Sequence, residues 1–192
     1  MTTGQELKNY LTMMRDFRQT AVPFPKGYNY VCAEDYVLDR GRLYESSRLT
    51  EDEEKSLMGV IGEYGRPFKQ RECFYNAQML VLTDHTKTLR FAEGFAVGVI
   101  PVHHAWVTLN GKVVDLTWRV KGRRKGGYND RIIGVIPNDR AYYGVEFDTE
   151  TVREVVLQTE MSHSFLQDYR SGYAIFKEER VAPLPPAQAV AP

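Results

Sequence analysis

Apolar side chains recur at three- and four-residue intervals from position 3 or 4 to 19, with Leu7, Tyr10, Leu11, Met14 and Phe17 along one stripe. That is the period of an amphipathic helix turned toward a core. Pro23 and Pro25 place 22–30 in a loop. Thr50 with Glu53 three residues on is a capping-box pair. It opens a second helix to about Tyr64, with Leu57, Val60 and Ile61 inward and Gly65 as its stop. Phe74, Ala77, Leu80 and Val81 carry the helical period again from 73 to about 84. Branched and aromatic residues then predict strands near 88–100, 103–109 and 112–118. Beyond them, 132–136 reads as a strand, 139–143 as a short helix, 152–157 as a strand or the start of a helix, and 162–173 as helical. Cys32, in YNYVCAEDYVL, reads as buried in a strand or short helix. The Pro/Ala-rich end, from Ala182 through PLPPAQAVAP, reads as an extended or disordered tail, so 1–181 forms one domain followed by tail 182–192.

Asn110-Gly111 separates two of the predicted strands. A two-residue type I′ turn needs positive φ at both central positions, and Asn-Gly is its favoured pair. Such a turn pairs Leu109 with Lys112, hence Trp106 with Asp115 and His104 with Thr117. Opposed residues share a face, as do residues two apart on one strand. His104, Trp106 and Asp115 therefore lie on one face, with Asp115 a diagonal neighbour of His104 at roughly 7–8 Å between backbones. A slip of one residue would send Asp115 to the other face, and the Asn-Gly turn argues against it. His103 points the opposite way and reads as a polar residue at a strand start or on the sheet surface. His85 and His163 read as residues of helix termini.

His104 follows Cys73 by 31 positions, and Asp115 follows His104 by another 11. Thiol, imidazole and carboxylate are the groups a cysteine nucleophile requires: one attacks, one moves the proton, one orients the imidazole. A thiol in the first turn of a helix sits at the positive end of its dipole, which favours thiolate. Lys69 and Arg71 add positive charge nearby in sequence. The bland alternative for Cys73 is a small apolar core residue. Acyl chemistry also needs a donor for the developing oxyanion. The Cys73 N–H and the Gln70 side chain are the candidates, Gln70 reading otherwise as an ordinary surface residue. Asn76, one turn along the helix, lines the cleft or is exposed. Trp106 shields the His–Asp pair or contacts substrate, and Trp118 is expected to pack under the sheet. Cys32 and Cys73 form no short-spaced ligand pair and His103 and His104 diverge, which argues against zinc. No metal or cofactor is expected.

Cys73 at a helix start, the strand Arg90-Phe91-Ala92-Glu93-Gly94-Phe95-Ala96, then His104-Ala105-Trp106 and Asp115-Leu116-Thr117 resemble the core of the transglutaminase-like cysteine proteinase superfamily. The resemblance covers about residues 70–118, roughly a quarter of the chain. It implies an α+β, papain/transglutaminase-like fold: N-terminal helices and a central Cys-bearing helix packed on an antiparallel sheet. It implies Cys73 as nucleophile, His104 as general base and acid, and Asp115 as orienter. It leaves the reaction open among crosslinking, peptidase, amidase and acyl-transfer activities. The Gly-Gln that commonly precedes the cysteine of true transglutaminases is replaced by Arg71-Glu72, which argues against protein crosslinking. The expected activity is a cysteine hydrolase or acyltransferase acting on an amide-type bond of a peptide, protein or small amide. The alternatives are a catalytically idle binding module of the same fold and a structural protein in which the three residues merely pack.

Composition narrows the partners. In 192 residues, 25 Lys and Arg balance 25 Asp and Glu, so no bulk charge attracts nucleic acid or an anionic membrane. No run of 18 apolar residues marks a membrane span, and the polar MTTGQELKNYL start lacks a signal-peptide apolar block. Two cysteines make no disulfide scaffold, and a reducing, cytoplasmic setting suits a thiol nucleophile. The basic, glycine-rich 121–127 reads as a solvated turn or a rim attracting an acidic substrate.

Overall fold

The computed structural model describes residues 2–21, 23, 26–120, 128, 130–159, 163–169 and 172–181. The tail at 182–192, the basic segment at 121–127 and the start of the expected C-terminal helix at Ser162 lie outside the described residues.

The described chain is α+β, with five α-helices and a six-stranded antiparallel sheet. The helices are α1 (Thr3–Ala21), α2 (Ala33–Arg40), α3 (Glu51–Tyr64), α4 (Cys73–Thr83) and α5 (Thr149–Thr159). The strands are β1 (Arg42–Leu43), β2 (Leu89–Val97), β3 (Pro101–Leu109), β4 (Lys112–Asp115), β5 (Ile132–Ile133) and β6 (Ala141–Phe147), in the order β1-β6-β2-β3-β4-β5. The α3 ends follow their caps. The Thr50 hydroxyl accepts from the Glu53 N–H, Glu53 accepts from the Thr50 N–H at 2.7 Å, and Gly65 closes the helix at φ 61°.

Alternation along the central strands divides the sheet into two faces. Phe91, Ala105, Val107 and Leu109 pack with Leu57, Ile61, Cys73, Ala77, Leu80 and Val152 beneath α3, α4 and α5. Phe95, Ala141 and Tyr143, farther along the same face, pack with Leu7, Leu11, Tyr36 and Val37 of α1 and α2. The opposite face carries Ala92, Ala96, Trp106, Val113, Ile132 and Tyr142, covered by Tyr44 and Ile136. Gly94 sits where β2 crosses between β3 and β6, opposite His104 on one side and Gly144 on the other. A Cβ there would press on the Tyr143 carbonyl and come within 2.5 Å of the Gly144 Cα, so only glycine fits.

Several elements differ from the sequence pattern. Residues 139–143 do not form a helix; most belong to β6, because AYYGVEF pairs with β2 over seven positions and is buried along its first half. The 152–157 stretch is helix within α5, whose start is held by Asp148 accepting from the Thr151 N–H at 2.9 Å. The described part of 162–173 is turns rather than helix. There the N–H groups of Phe165 and Leu166 are drawn onto the Glu93 carboxylate instead of an i−4 carbonyl. The strand expected at 132–136 ends at Ile133, where Gly134 turns the chain at φ 72°. Cys32 is the half-buried N-cap of α2. Among the described residues no helix is long and apolar enough to cross a membrane.

Candidate active site

Asn110 and Gly111 both adopt positive φ, 50° and 76°, and the turn sets the register. Leu109 pairs with Lys112, Thr108 with Val113 and Val107 with Val114. His104, Trp106 and Asp115 thus occupy one face, and His104 Nε2 meets Asp115 Oδ2 at 2.8 Å. The β4 strand stops at Asp115 rather than continuing to 118, because the other carboxylate oxygen, Oδ1, accepts from the N–H groups of Thr117 and Trp118 at 2.9 and 3.1 Å. This side-chain-to-backbone turn diverts the chain from the ladder. The Tyr142 hydroxyl donates to Oδ2 at 2.9 Å. Asp115 is 1 % exposed and accepts four hydrogen bonds.

Beyond Val107 and Val114 the two strands part, and the tip of α4 reaches the opening. The Asn76 amide donates to the Thr117 hydroxyl at 3.0 Å and to the Lys69 carbonyl at 2.7 Å, and its carbonyl accepts from the Lys69 N–H at 3.1 Å. Asn76 thereby ties the first turn of α4, its entry loop and the segment after β4 together. Cys73 is the first residue of α4, and its thiol lies near enough to the His104 imidazole to help hold the ring's proton. With Nε2 held by Asp115, Nδ1 is the nitrogen left to face sulfur. The α4 N-cap, Glu72, makes no side-chain cap bond. The first N–H groups of the helix, Cys73 among them, therefore keep their donors free of intrahelical partners. Arg71, two residues earlier, adopts a left-handed φ of 65° that turns the chain into the helix.

Electrostatics tie the three groups. Burial alone would push the His104 imidazole down, but the Asp115 carboxylate and then the Cys73 thiol outweigh it and raise it to about 9. Burial alone would raise Asp115, yet imidazole and backbone N–H donors hold it below the ordinary carboxylate range. Burial, and then the neighbouring carboxylate, push Tyr142 well above a free phenol, so it stays a neutral donor. The arrangement is an imidazole that keeps its proton at neutral pH, oriented by an ionised acid and near a thiol at a helix tip.

The other sequence candidates fall around this centre. Gln70 is exposed in the turn before α4. Trp106 is 1 % exposed, edge-on to Tyr44 and Tyr142 and behind His104. Trp118 packs against the sheet face that carries Trp106 and Tyr142, as expected, and there it stacks on the His104 ring, centroids 4.3 Å apart and planes at 20°, half-buried. His103 points to the helix-covered face, between Phe74 and Phe95. Its Nε2 lies 2.9 Å from the fully buried Glu93 carboxylate, out of line for a hydrogen bond. Glu93 also accepts from the Ser164 hydroxyl at 2.5 Å and from the N–H groups of Phe165 and Leu166. His85 is exposed in a turn, and His163 lies 3.5 Å from Asp168.

Sequence reasoning did not find Tyr142 or the stacking role of Trp118. A period-two reading of AYYGVEF would have placed Tyr142 and Gly144 on one face. Nothing in the sequence signals that Trp118 folds back on His104. Both cysteines are free thiols, and no cluster of three metal-ligating side chains occurs among the described residues. Neither the family models, nor the curated proteins, nor the solved structures compared with this chain give a match.

Proposed function

We propose that Cys73, His104 and Asp115 are the catalytic triad of a cysteine hydrolase or acyltransferase acting on an amide-type bond. The observation that carries the reading is His104, hydrogen-bonded to Asp115 at 2.8 Å, with the Cys73 thiol at the tip of α4 near enough to add to the rise in its pKa. In the first step the Cys73 sulfur attacks the amide carbonyl while its proton resides on His104. The C–N bond then breaks, and His104 gives that proton to the departing amine, leaving a thioester on Cys73. Water or an amine attacks the thioester as His104 takes its proton, and the thiol is restored. Asp115 keeps Nε2 protonated throughout, so Nδ1 is the working nitrogen. The Cys73 N–H, uncapped at the α4 tip, supplies an oxyanion donor, a contribution of a few kcal/mol in related chemistry. Gln70, three residues upstream, is the side-chain candidate for a second donor.

A central helix with cysteine at its tip, packed on an antiparallel sheet that carries histidine and aspartate, supports a papain/transglutaminase-like core. One observation favours an idle binding module of the same fold: Cys73 is 9 % exposed and His104 2 %. Labelling with an acyl-trapping electrophile, read by mass spectrometry, separates the two. The triad reading expects a single adduct on Cys73, absent in Cys73→Ser and formed at least tenfold more slowly in His104→Ala. Labelling of the folded protein no faster than that of free cysteine overturns the reading in favour of the idle module.

A further inference from the structure

Three described arginines lie around the triad. Arg119 pairs with Asp130 at 2.9 Å, and Arg131 lies 3.6 Å from the same carboxylate while donating to the Thr117 carbonyl. Arg140, immediately before β6, is different. Its guanidinium carbon stands 5.2 Å from the Trp118 ring centre, and its best side-chain hydrogen bond is a long 3.5 Å contact to the Val97 carbonyl. Among the described residues no carboxylate lies within ion-pair range of it. The groups near it include Trp118, the Tyr142 phenol and Gly98, all neutral. A Cβ on Gly98 would sit 2.6 Å from Arg140 Nη1, so the β2–β3 turn leaves room for the guanidinium.

Trp118 links this cation to the chemistry, because its ring stacks on His104 at 4.3 Å. The two stacking distances bound the guanidinium carbon to within about 10 Å of the imidazole centre, no more than a Debye length at 0.1 M salt. A half-buried guanidinium with four of its five N–H donors unused among the described residues is a fork shaped for a carboxylate.

We propose that Arg140 is a specificity-determining residue that selects acyl substrates bearing a carboxylate within about one residue's length of the scissile carbonyl. The inference rests on the triad reading. The substrate carboxylate supplies the counter-ion that the described residues do not. Bidentate pairing with it fixes the acyl group relative to Cys73, and stacking on Trp118 keeps the fork aimed along the site.

The test compares two alkylating agents of nearly equal size, iodoacetate and iodoacetamide, on Cys73 in the full chain. The ratio of their rates isolates the response to a carboxylate, and the iodoacetamide rate alone reports the triad. In the wild-type protein the iodoacetate to iodoacetamide ratio is expected to exceed that of free cysteine. It is expected to fall three- to tenfold in Arg140→Gln with the iodoacetamide rate held within twofold, and to be partly retained in Arg140→Lys. Raising salt to 1 M is expected to lower the wild-type ratio more than that of the Arg140 variant, and Arg140→Met takes the place of Arg140→Gln should that variant fail to fold. A rapid, His104-dependent iodoacetamide reaction with a ratio that removal of the Arg140 charge does not change, whatever salt does to it, overturns the anion subsite and leaves the triad standing. A slow iodoacetamide reaction that His104→Ala does not alter overturns the triad itself.

Discussion

The charge on His104 links the stability of the whole fold to pH. In the folded protein the imidazole is raised from 6.5 to about 9. A value raised by folding means that folding stabilises the protonated form. The contribution is fully present below about pH 6.5 and is lost as pH rises through about 9. At about 1.4 kcal/mol per unit, the difference is at most about 3–4 kcal/mol. That is a sizeable part of the 5–15 kcal/mol typical of a domain. The assay is urea unfolding from pH 6 to 10 on the wild-type protein and on His104→Gln, which keeps one donor for Asp115 but does not titrate. Wild type is expected to exceed His104→Gln most at pH 6, with the gap narrowing by about 2–3 kcal/mol between pH 6.5 and 9.5. The slope against urea should stay equal in the two proteins. A gap constant across that range refutes the reasoning, because the imidazole then carries no folding-dependent proton and Asp115 is not its counter-ion.

Three further outcomes follow from single groups. Tyr142→Phe deletes the hydroxyl donor to Asp115 with no change in ring volume; urea unfolding should show a loss of about 1.5–3 kcal/mol, the range for a hydrogen bond to a charged group. Iodoacetamide labelling of Cys73 should survive that change, since Asp115 keeps its bonds from His104, Thr117 and Trp118. Glu93→Gln puts an amide among donors from Ser164, Phe165 and Leu166; a loss of about 2–3 kcal/mol in the same assay is expected, with hydrogen exchange rising first at 164–166. Gly94→Ala forces a methyl against the Tyr143 carbonyl and the Gly144 Cα; a destabilisation of about 3 kcal/mol or more should show as lost cooperative unfolding, and wild-type stability would refute the close approach.

The features that the sequence determined by itself are those that depend on neighbours a few positions apart. The Thr50 and Glu53 cap, the Gly65 stop and the helical stripe of α4 each satisfy backbone groups or bury a face within one or two turns. The Asn110-Gly111 turn belongs with them: a requirement for positive φ at two adjacent residues is local, and it alone aligned Asp115 with His104 eleven positions away. Tertiary structure decided whatever depended on partners distant in the chain. The AYYGVEF segment became a strand because β2 offered it seven pairing positions, a choice that no local period carries. Residues 163–169 gave up helix because a buried carboxylate some seventy residues earlier needed their N–H groups. His103 and His104 look alike in the sequence; the sheet sent one to a buried Glu93 and the other to Asp115. Local rules choose conformations, but burial and long-range hydrogen bonding choose among the conformations that local rules leave nearly equal in energy.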